Sequence, residues 1–178
     1  MGDVQVRPFV VADLPMMIEF DHSYHTDYVW QMDIASEDNQ VSVSFREIRL
    51  PRSMRVIYPR VPEALADEWS RRTAMLVAEL DDEVVGYVSL MEGIAPLSIW
   101  VIDLVVMRRL RRHGIGQALL VAAQTWAAEK GYHRLIVEMQ SKNYPAISLV
   151  GKLGFEFCGY SDKYYENQDI ALFFSKRY

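Results

Sequence analysis

Basic side chains crowd in front of two glycines in the segment RRLRRHGIGQALL, which spans residues 108–120. Gly114 and Gly116 lack side chains, so an anion can come close to the backbone amides at this point. A helix that begins here offers amides without partners and about half a positive charge in its first turn. The arginines add charge-assisted hydrogen bonds. The segment therefore predicts a binding site for a pyrophosphate. The alternative is a surface loop in which the arginines only keep the loop solvated and the glycines only turn the chain.

Comparison with known phosphate loops leaves one pattern for these residues. A Walker loop requires GxxxxGK followed by Ser or Thr, and the sequence has no such segment. A Rossmann fingerprint requires GxGxxG, whereas GIGQAL has leucine in place of the third glycine. The remaining pattern is RxxGxG, which is formed by Arg111, Gly114 and Gly116.

The glycine segment lies between an apolar strand and an amphipathic helix. Ile115, Leu119, Ala122 and Trp126 recur at helical spacing, and Gly131 stands where a left-handed cap belongs. Strand, helix and strand imply a parallel pair with a crossover connection, and therefore a mixed α/β domain. We expect helices at 10–25, 62–72, 115–130 and 143–153, and strands at 4–8, 41–50, 73–80, 84–93, 99–106, 135–139, 155–160 and 170–176.

Composition limits the class of protein. The chain has 178 residues, with 19 Lys and Arg against 24 Asp and Glu and a formal net charge of -5. This length predicts one domain, and the acidity argues against a nucleic-acid partner. No apolar stretch reaches the roughly 18 residues of a spanning helix, and the first residues lack a secretion signal, so we expect no membrane partner and a cytoplasmic location. Cys158, the single cysteine, is expected to be a small core residue.

Two motifs in register resemble those of the GNAT superfamily of N-acetyltransferases. The acetyl-CoA loop of that family has Arg or Gln, two residues, Gly, one residue, and Gly or Ala, and DLVVMRRLRRHGIGQALL matches it. The second signature, NxxAixlYxxlGF, is similar to NYPAISLVGKLGF at 143–155. The resemblance covers residues 73–176 and implies a single-domain GNAT fold over 1–178. Its mixed sheet would have about six to seven strands, splayed at a cofactor slot, with about four flanking helices.

The resemblance implies acetyl-CoA as cosubstrate and assigns residues to it. Amides in the glycine segment would hold the pyrophosphate, and the end of the preceding strand would pair with the pantetheine arm as an added strand does. The start of the 143–153 helix would reach the pantetheine or the thioester. The cofactor-binding residues implied in this way are Val105, Val106, Arg111, Arg112, His113, Gly114, Ile115, Gly116, Gln117, Asn143 and Ala146.

Attack of a primary amine on a thioester needs a general base and a general acid. Glu138 is our first candidate for the base, because it stands in a strand expected to be covered on both faces, where a carboxylate is costly unless paired or used. It also lies five residues before Asn143, where family members that modify protein amino termini keep a catalytic glutamate. Asp103 is the second candidate. The alternative for Glu138 is that it is a charged residue at a solvent-exposed end of its strand.

At the position expected for the general acid, the sequence departs from the family pattern. Val150 stands where the second signature usually has a tyrosine. Tyr144 and Tyr165 are candidates to replace that hydroxyl, with Tyr164 as a third, although a tyrosine near a turn is more often a packing residue.

Acceptor binding is expected in the variable part of the chain, residues 1–72. Tyr24, Tyr28 and Trp30, with aspartates between them, predict a lid that attracts a cationic amine, or else a plain surface loop. His22 and His25 have the spacing of two metal ligands, but no further cluster supports them, and we expect no metal.

The sequence thus predicts an N-acetyltransferase that moves an acetyl group from acetyl-CoA to a primary amine of a small molecule or a peptide, as a monomer or a homodimer. DYVW followed by FREIRLPR is faintly similar to streptothricin-type antibiotic acetyltransferases, which makes such an enzyme one alternative. A non-catalytic acyl-CoA sensor on the same fold is the other.

Overall fold

The computed structural model describes residues 3–178 and contains two sheets, one of seven strands and one of two. In chain order the strands are β1 Gln5–Pro8, β2 Tyr24–Glu37, β3 Gln40–Val56, β4 Ala74–Leu80, β5 Glu83–Glu92, β6 Ser98–Val106, β7 Arg134–Gln140, β8 Glu156–Ser161 and β9 Ala171–Arg177. The large sheet has the order β1-β4-β5-β6-β7-β9-β8, and β6 and β7 are parallel at its centre. Strands β2 and β3 form a long antiparallel hairpin.

Four α-helices accompany the sheets: α1 Leu14–Glu19, α2 Leu65–Glu68, α3 Ile115–Glu129 and α4 Tyr144–Lys152. The apolar stripe of α3 lies in the main hydrophobic core, where Ile115, Leu119 and Ala123 are at most 1% exposed. A second, smaller core lies under α1 and α2 and includes Met17 and Leu65. The sheet is therefore covered on both faces, as the apolar central strands predict. No helix within residues 3–178 is long and apolar enough to cross a bilayer.

The parallel strands β6 and β7 separate part-way along their length. They pair from Ser98 to Val101 on β6, and the register ends there. The next residue, Ile102, is an extra residue opposite β5, because Leu90 pairs with Val101 and Ser89 pairs with Asp103. A bulge of this kind bends the strand and re-aims its side chains. The second half of β6 therefore has an edge that β7 does not cover, and a slot opens between the two strands.

The first helix and the following segment differ from the sequence prediction. Helix α1 ends at Glu19, and Phe20 has extended backbone angles. Asp21 Oδ1 accepts hydrogen bonds from the Ser23 amide at 3.0 Å and the Ser23 hydroxyl at 2.6 Å. This turn competes with helix continuation. The chain then enters β2 at Tyr24, in a stretch where the sequence has no clear period.

Cys158 is exposed, so its prediction as a core residue was wrong. It lies on β8, the last strand of the large sheet, and opposite β9 it is an extra residue between Phe157 and Gly159. A bulge residue is left out of the strand pairing, and the bulge changes the direction in which its side chain points.

Candidate functional site

The N-terminus of α3 presents a run of free backbone amides. Gly114 is the N-cap with a φ of +86°, which favours glycine. Within residues 3–178, no backbone or side-chain oxygen accepts a hydrogen bond from the amides of Arg112 to Gln117. Such amides, together with the helix dipole, attract an anion. Gly116 has another reason to lack a side chain, because a Cβ there would lie 3.3 Å from Leu149 Cδ2 of α4.

Three of the four neighbouring arginines are engaged within the protein. Arg108 pairs with Asp21 at 3.1 Å, and Arg109 pairs with Glu83 at 2.7 Å. Arg111 donates to the carbonyls of Val106 at 2.8 Å and Ser23 at 2.6 Å, and also to the Asp21 carbonyl.

The Arg111 guanidinium ties the 21–23 turn to the end of β6. The Val106 carbonyl accepts a hydrogen bond from Arg111, and the Val105 side chain packs in the smaller core. Arg112 and His113 remain exposed beside the free amides, as does Gln117. Ile115 is buried in the main core, so its amide alone faces the loop.

The slot between β6 and β7 contains a cavity of about 30 Å³. Asn143 and Ala146 line it from α4, as expected. The Asn143 side chain also caps α4, because its Oδ1 accepts from the Ala146 amide at 3.2 Å. The full lining comprises Tyr58, Pro59, Arg60, Ile102, Leu104, Val137, Glu138, Met139, Gln140, Asn143, Ala146, Val150 and Tyr165.

Both predicted base candidates lie at this slot, one on each strand. The side chains of Glu138 on β7 and Asp103 on β6 are 2% and 4% exposed. Arg60 joins them: its Nη2 donates to Glu138 Oε1 at 2.5 Å, and its Nη1 lies 3.7 Å from Asp103 Oδ1. Asp103 also accepts from the Tyr58 hydroxyl at 2.6 Å and lies 3.7 Å from Arg72. The two carboxylates are thus buried and paired, which is how a folded protein tolerates them.

Sequence reasoning missed Tyr58 and Arg60. They follow β3 in a short connection, IYPR, that shows neither helical nor strand periodicity. The ionic partners of Arg60 lie far along the chain: Asp103 is 43 positions away and Glu138 is 78 positions away. No local sequence pattern therefore reveals these contacts.

Two tyrosines next to Glu138 are held protonated. Tyr164 donates its hydroxyl to Glu138 Oε2 at 2.9 Å, and burial together with the Glu138 charge raises its pKa to about 12. Burial and the same charge raise the pKa of Tyr165, whose ring lies 5.7 Å from the Arg60 guanidinium carbon. Tyr144 instead packs against Tyr28, with ring centroids 4.8 Å apart. Of the acid candidates, Tyr164 and Tyr165 thus lie at the carboxylates.

A larger cavity of about 280 Å³ lies on the other side of the Tyr58–Pro59–Arg60 segment. It carries three carboxylates, Glu68, Asp103 and Glu166, and two guanidiniums, those of Arg60 and Arg72. The remaining lining residues are His22, Tyr58, Pro59, Val61, Pro62, Ala64, Leu65 and Tyr87.

His22 is a buried neutral side chain in the wall of this cavity. Burial lowers its pKa. Its Nδ1 lies 2.7 Å from the Phe20 carbonyl, which can only accept, so Nδ1 carries the proton and Nε2 accepts from the Tyr87 hydroxyl at 2.8 Å. His25, three residues on, is exposed. Within residues 3–178 no group of three or more metal-ligating side chains is present.

The aromatic residues of the predicted lid pack against the rest of the protein. Tyr24 is buried and donates to Gln140 at 2.7 Å, and the Trp30 amide donates to the Ser141 carbonyl at 2.9 Å. The Trp30 ring packs on Phe174 at 5.6 Å. Tyr24 and Trp30 therefore anchor the hairpin to β7, to β9 and to the turn at Ser141, and neither lines the larger cavity. Most of the lining of that cavity comes from the segment 58–72, and the rest comes from His22, Tyr87, Asp103 and Glu166.

The acetyltransferase (GNAT) family matches residues 42–155, which is more than half of the chain. The chain belongs to the GNAT acetyltransferase family. It is an acetyl-CoA-dependent N-acetyltransferase, so the predictions of family, fold class and activity are confirmed.

Relatives of this GNAT acetyltransferase differ in acceptor. A streptothricin acetyltransferase of Streptomyces lavendulae is 24% identical over 152 residues, which are 82% of this chain and 78% of that protein. An N-alpha-acetyltransferase of Sulfurisphaera tokodaii is 34% identical over 119 residues, which are 55% of this chain and 65% of that protein.

Solved structures share the fold over the whole chain. A nourseothricin acetyltransferase has a TM-score of 0.81 at 24% identity, over 98% of both chains. A Bacillus anthracis protein in complex with acetyl coenzyme A has a TM-score of 0.77 at 18% identity, over 99% of this chain and 100% of that one.

Proposed function

We propose that acetyl transfer takes place where the two cavities meet, with the thioester in the slot and the amine arriving from the larger cavity. The observation that carries this proposal is the pair of buried carboxylates: Glu138 lines the slot and Asp103 lines the larger cavity. Arg60 contacts both from the wall between the cavities. A carboxylate therefore faces each of the two reactants.

The residues present suit coenzyme A. The free amides from Arg112 to Gln117 would hold its pyrophosphate, with the Arg112 and His113 side chains beside them. The uncovered edge of β6 offers backbone groups to the pantetheine arm. Asn143 and Ala146 would border the thioester end of that arm, because they line the slot.

Side chains of the protein would act as the general base and the general acid of the reaction. Glu138 accepts a proton from the acceptor ammonium, and the amine nitrogen then attacks the thioester carbonyl carbon. The carbon–sulfur bond breaks, and the sulfur leaves with the proton that a tyrosine hydroxyl donates. The tyrosinate then takes the second proton of the attacking nitrogen, and Glu138 releases its proton to solvent. Tyr164 and Tyr165 suit this role since both are protonated near neutral pH. Asp103 would attract the ammonium and is the second candidate for the base.

We propose a small cationic molecule as acceptor, with the streptothricin type to be tested first. The supporting facts are the streptothricin-acetylating relative, which matches 82% of the chain, and a fold shared over 98% of both chains with a nourseothricin acetyltransferase. A peptide amino terminus is the second candidate, favoured by the 34% identity of the N-alpha-acetyltransferase.

A thiol-release assay with acetyl-CoA tests the proposal. Streptothricin, polyamines, aminoglycosides and peptides with free amino termini serve as acceptors, and mass spectrometry identifies the product. We expect turnover with a cationic small molecule and none when its amines are blocked. Acetyl-CoA binding without turnover on any acceptor would instead identify a non-catalytic acyl-CoA sensor.

The two parts of the chain contribute to different cavities. Part of the acceptor cavity wall, including His22, Tyr58 and Leu65, comes from residues 1–72, and the slot comes largely from residues 73–176. We propose that the two parts form a single domain that works in the cytoplasm as a monomer or a homodimer. Size-exclusion chromatography with light scattering distinguishes these two states.

A further inference from the structure

The guanidinium of Arg60 lies where three oxygen atoms from the separated strands converge. Its Nη1 donates to the Ile102 carbonyl at 2.8 Å, and its Nη2 donates to Glu138 Oε1 at 2.5 Å. Asp103 Oδ1 lies 3.7 Å from Nη1. A primary ammonium group has three donors and no acceptor, so it needs oxygen partners of this kind. The three oxygens therefore form a site for an ammonium group, and a side chain of the protein occupies it.

This site lies where the acceptor amine and the thioester must meet. Tyr58, Pro59 and Arg60 line both cavities, so they form the wall between slot and acceptor cavity. The slot cavity of about 30 Å³ has roughly the volume of one water molecule. An amine that enters the larger cavity reaches Glu138 when the Arg60 side chain moves away from Glu138 and the Ile102 carbonyl.

We propose that Arg60 is a specificity-determining residue and that the ammonium group of the acceptor replaces its guanidinium on the Ile102 carbonyl and Glu138. This proposal rests on the proposed function. The exchange keeps one positive charge beside the two buried carboxylates, which avoids the large cost of leaving them unpaired. An acceptor must therefore gain enough contacts in the larger cavity to displace a tethered cation, and a simple amine does not.

Two properties of Arg60 suit it to this role. Asp103 and Glu138 raise its pKa, so the guanidinium stays protonated, has no free lone pair and is not itself acetylated. The residue also lies in a connection without helix or strand, and its side chain is 29% exposed. Its neighbours Ile57 and Val61 are 77% and 62% exposed. A shift of Arg60 into the cavity that it already lines uncovers little apolar surface.

Arg60→Met and Arg60→Lys test the proposal, with Arg52→Met as a matched control because Arg52 is exposed on β3. Arg60→Met removes the competing cation, so the KM for the amine should fall about fivefold or more while kcat changes less than about twofold. Arg60→Lys keeps a cation and should have a KM near that of the wild type. Methylguanidinium should inhibit Arg60→Met competitively against the amine and inhibit the wild type far less.

The opposite kinetic result overturns the proposal. An Arg60→Met protein with a higher amine KM, or with kcat reduced about tenfold at unchanged KM, would show that Arg60 supports binding or the transition state. Arg60→Gln repeats the comparison if Arg60→Met does not fold.

A melting experiment separates this proposal from the proposed function, because it needs no turnover. Ethylammonium chloride should raise the Tm of Arg60→Met above that in an equal concentration of NaCl, and it should not do so for the wild type. Equal shifts in both proteins would overturn the role of Arg60, whether or not any acceptor is acetylated.

Discussion

The loop before α3 and the junction of the two carboxylates differ in how the chain builds them. The loop is one continuous segment, residues 108–117, and its working groups are backbone amides next to Gly114. The junction combines side chains from β6, β7 and two loops, Arg60 and Tyr164 among them. Backbone groups are set by local conformation, whereas side chains that meet across a sheet depend on the whole fold. A substitution in the loop should therefore affect cofactor affinity, and one at the Glu138 carboxylate of the junction should affect the chemical step.

Replacing the base should have the largest effect. Glu138→Gln keeps the shape of the side chain, with an oxygen that accepts from Arg60 and an NH2 group that can donate to the Tyr164 oxygen. Since a general base typically contributes about 100-fold or more, kcat should fall at least that far. The KM for acetyl-CoA should change little. Glu92→Gln is the control, because Glu92 is exposed at the end of β5. Unchanged turnover in Glu138→Gln would transfer the role of base to Asp103.

The two ends of α3 allow a matched test of the loop. Gly114 and Gly131 have φ values of +86° and +81°, and a Cβ at either would meet no atom within 4 Å. Alanine at either position should lower the free energy of unfolding by about 1–2 kcal/mol, the cost of a left-handed conformation. Gly114→Ala should in addition raise the Kd for acetyl-CoA, which calorimetry of cofactor binding can verify. If Gly131→Ala weakens binding equally, the effect is one of stability rather than of the loop.

The adjacent arginines should separate binding from stability. Arg112 is exposed beside the free amides, so Arg112→Ala should raise the acetyl-CoA Kd about five- to tenfold and leave urea unfolding unchanged. Arg111→Ala deprives three carbonyls of their donor and should lower the free energy of unfolding by about 1–3 kcal/mol. A reversal of these two results would mean that Arg111 contacts the pyrophosphate after all.

The same contrast explains what the sequence could predict. The strand before the glycines, the helix after them and the cap at Gly114 all follow from periodicity and residue type within about 20 neighbours. Glu138 and Asp103 could be singled out as charges within apolar strands, because burial of a lone carboxylate demands a partner. The partner itself was not predictable, since Arg60 lies in an irregular connection and nothing nearby in the sequence marks it as buried.

The hairpin shows a second limit. Tyr24 and Trp30 were predicted to contact the acceptor because aromatic and acidic residues alternate there, but aromatic side chains also supply packing surface. Which role they have depends on what lies opposite, and here Gln140 and Phe174 lie opposite. Both partners come from strands more than 100 positions later in the chain. Composition therefore located an important segment but did not reveal these packing contacts.

The smallest expected effect concerns His22, which links the acceptor cavity to stability. Its pKa is lowered by burial, so between that pKa and the ordinary value near 6.5 the unfolded chain binds a proton that the folded protein does not. Stability is therefore complete above the unfolded pKa and decreases as the pH falls below it, with a slope of at most about 1.4 kcal/mol per pH unit. Urea unfolding at pH 7.5 and pH 5.5 measures this dependence for the wild type and for His22→Gln.

In His22→Gln, the amide can donate to the Phe20 carbonyl and accept from Tyr87, as the imidazole does. Stability near neutral pH should then be similar to that of the wild type, and the loss on acidification should be smaller. The carboxylates cannot produce this difference, because they are common to both proteins. Equal losses in the two proteins would mean that His22 accepts a proton in the folded state, in which case the acceptor cavity gains a positive charge in mild acid and should bind a cationic amine less tightly there.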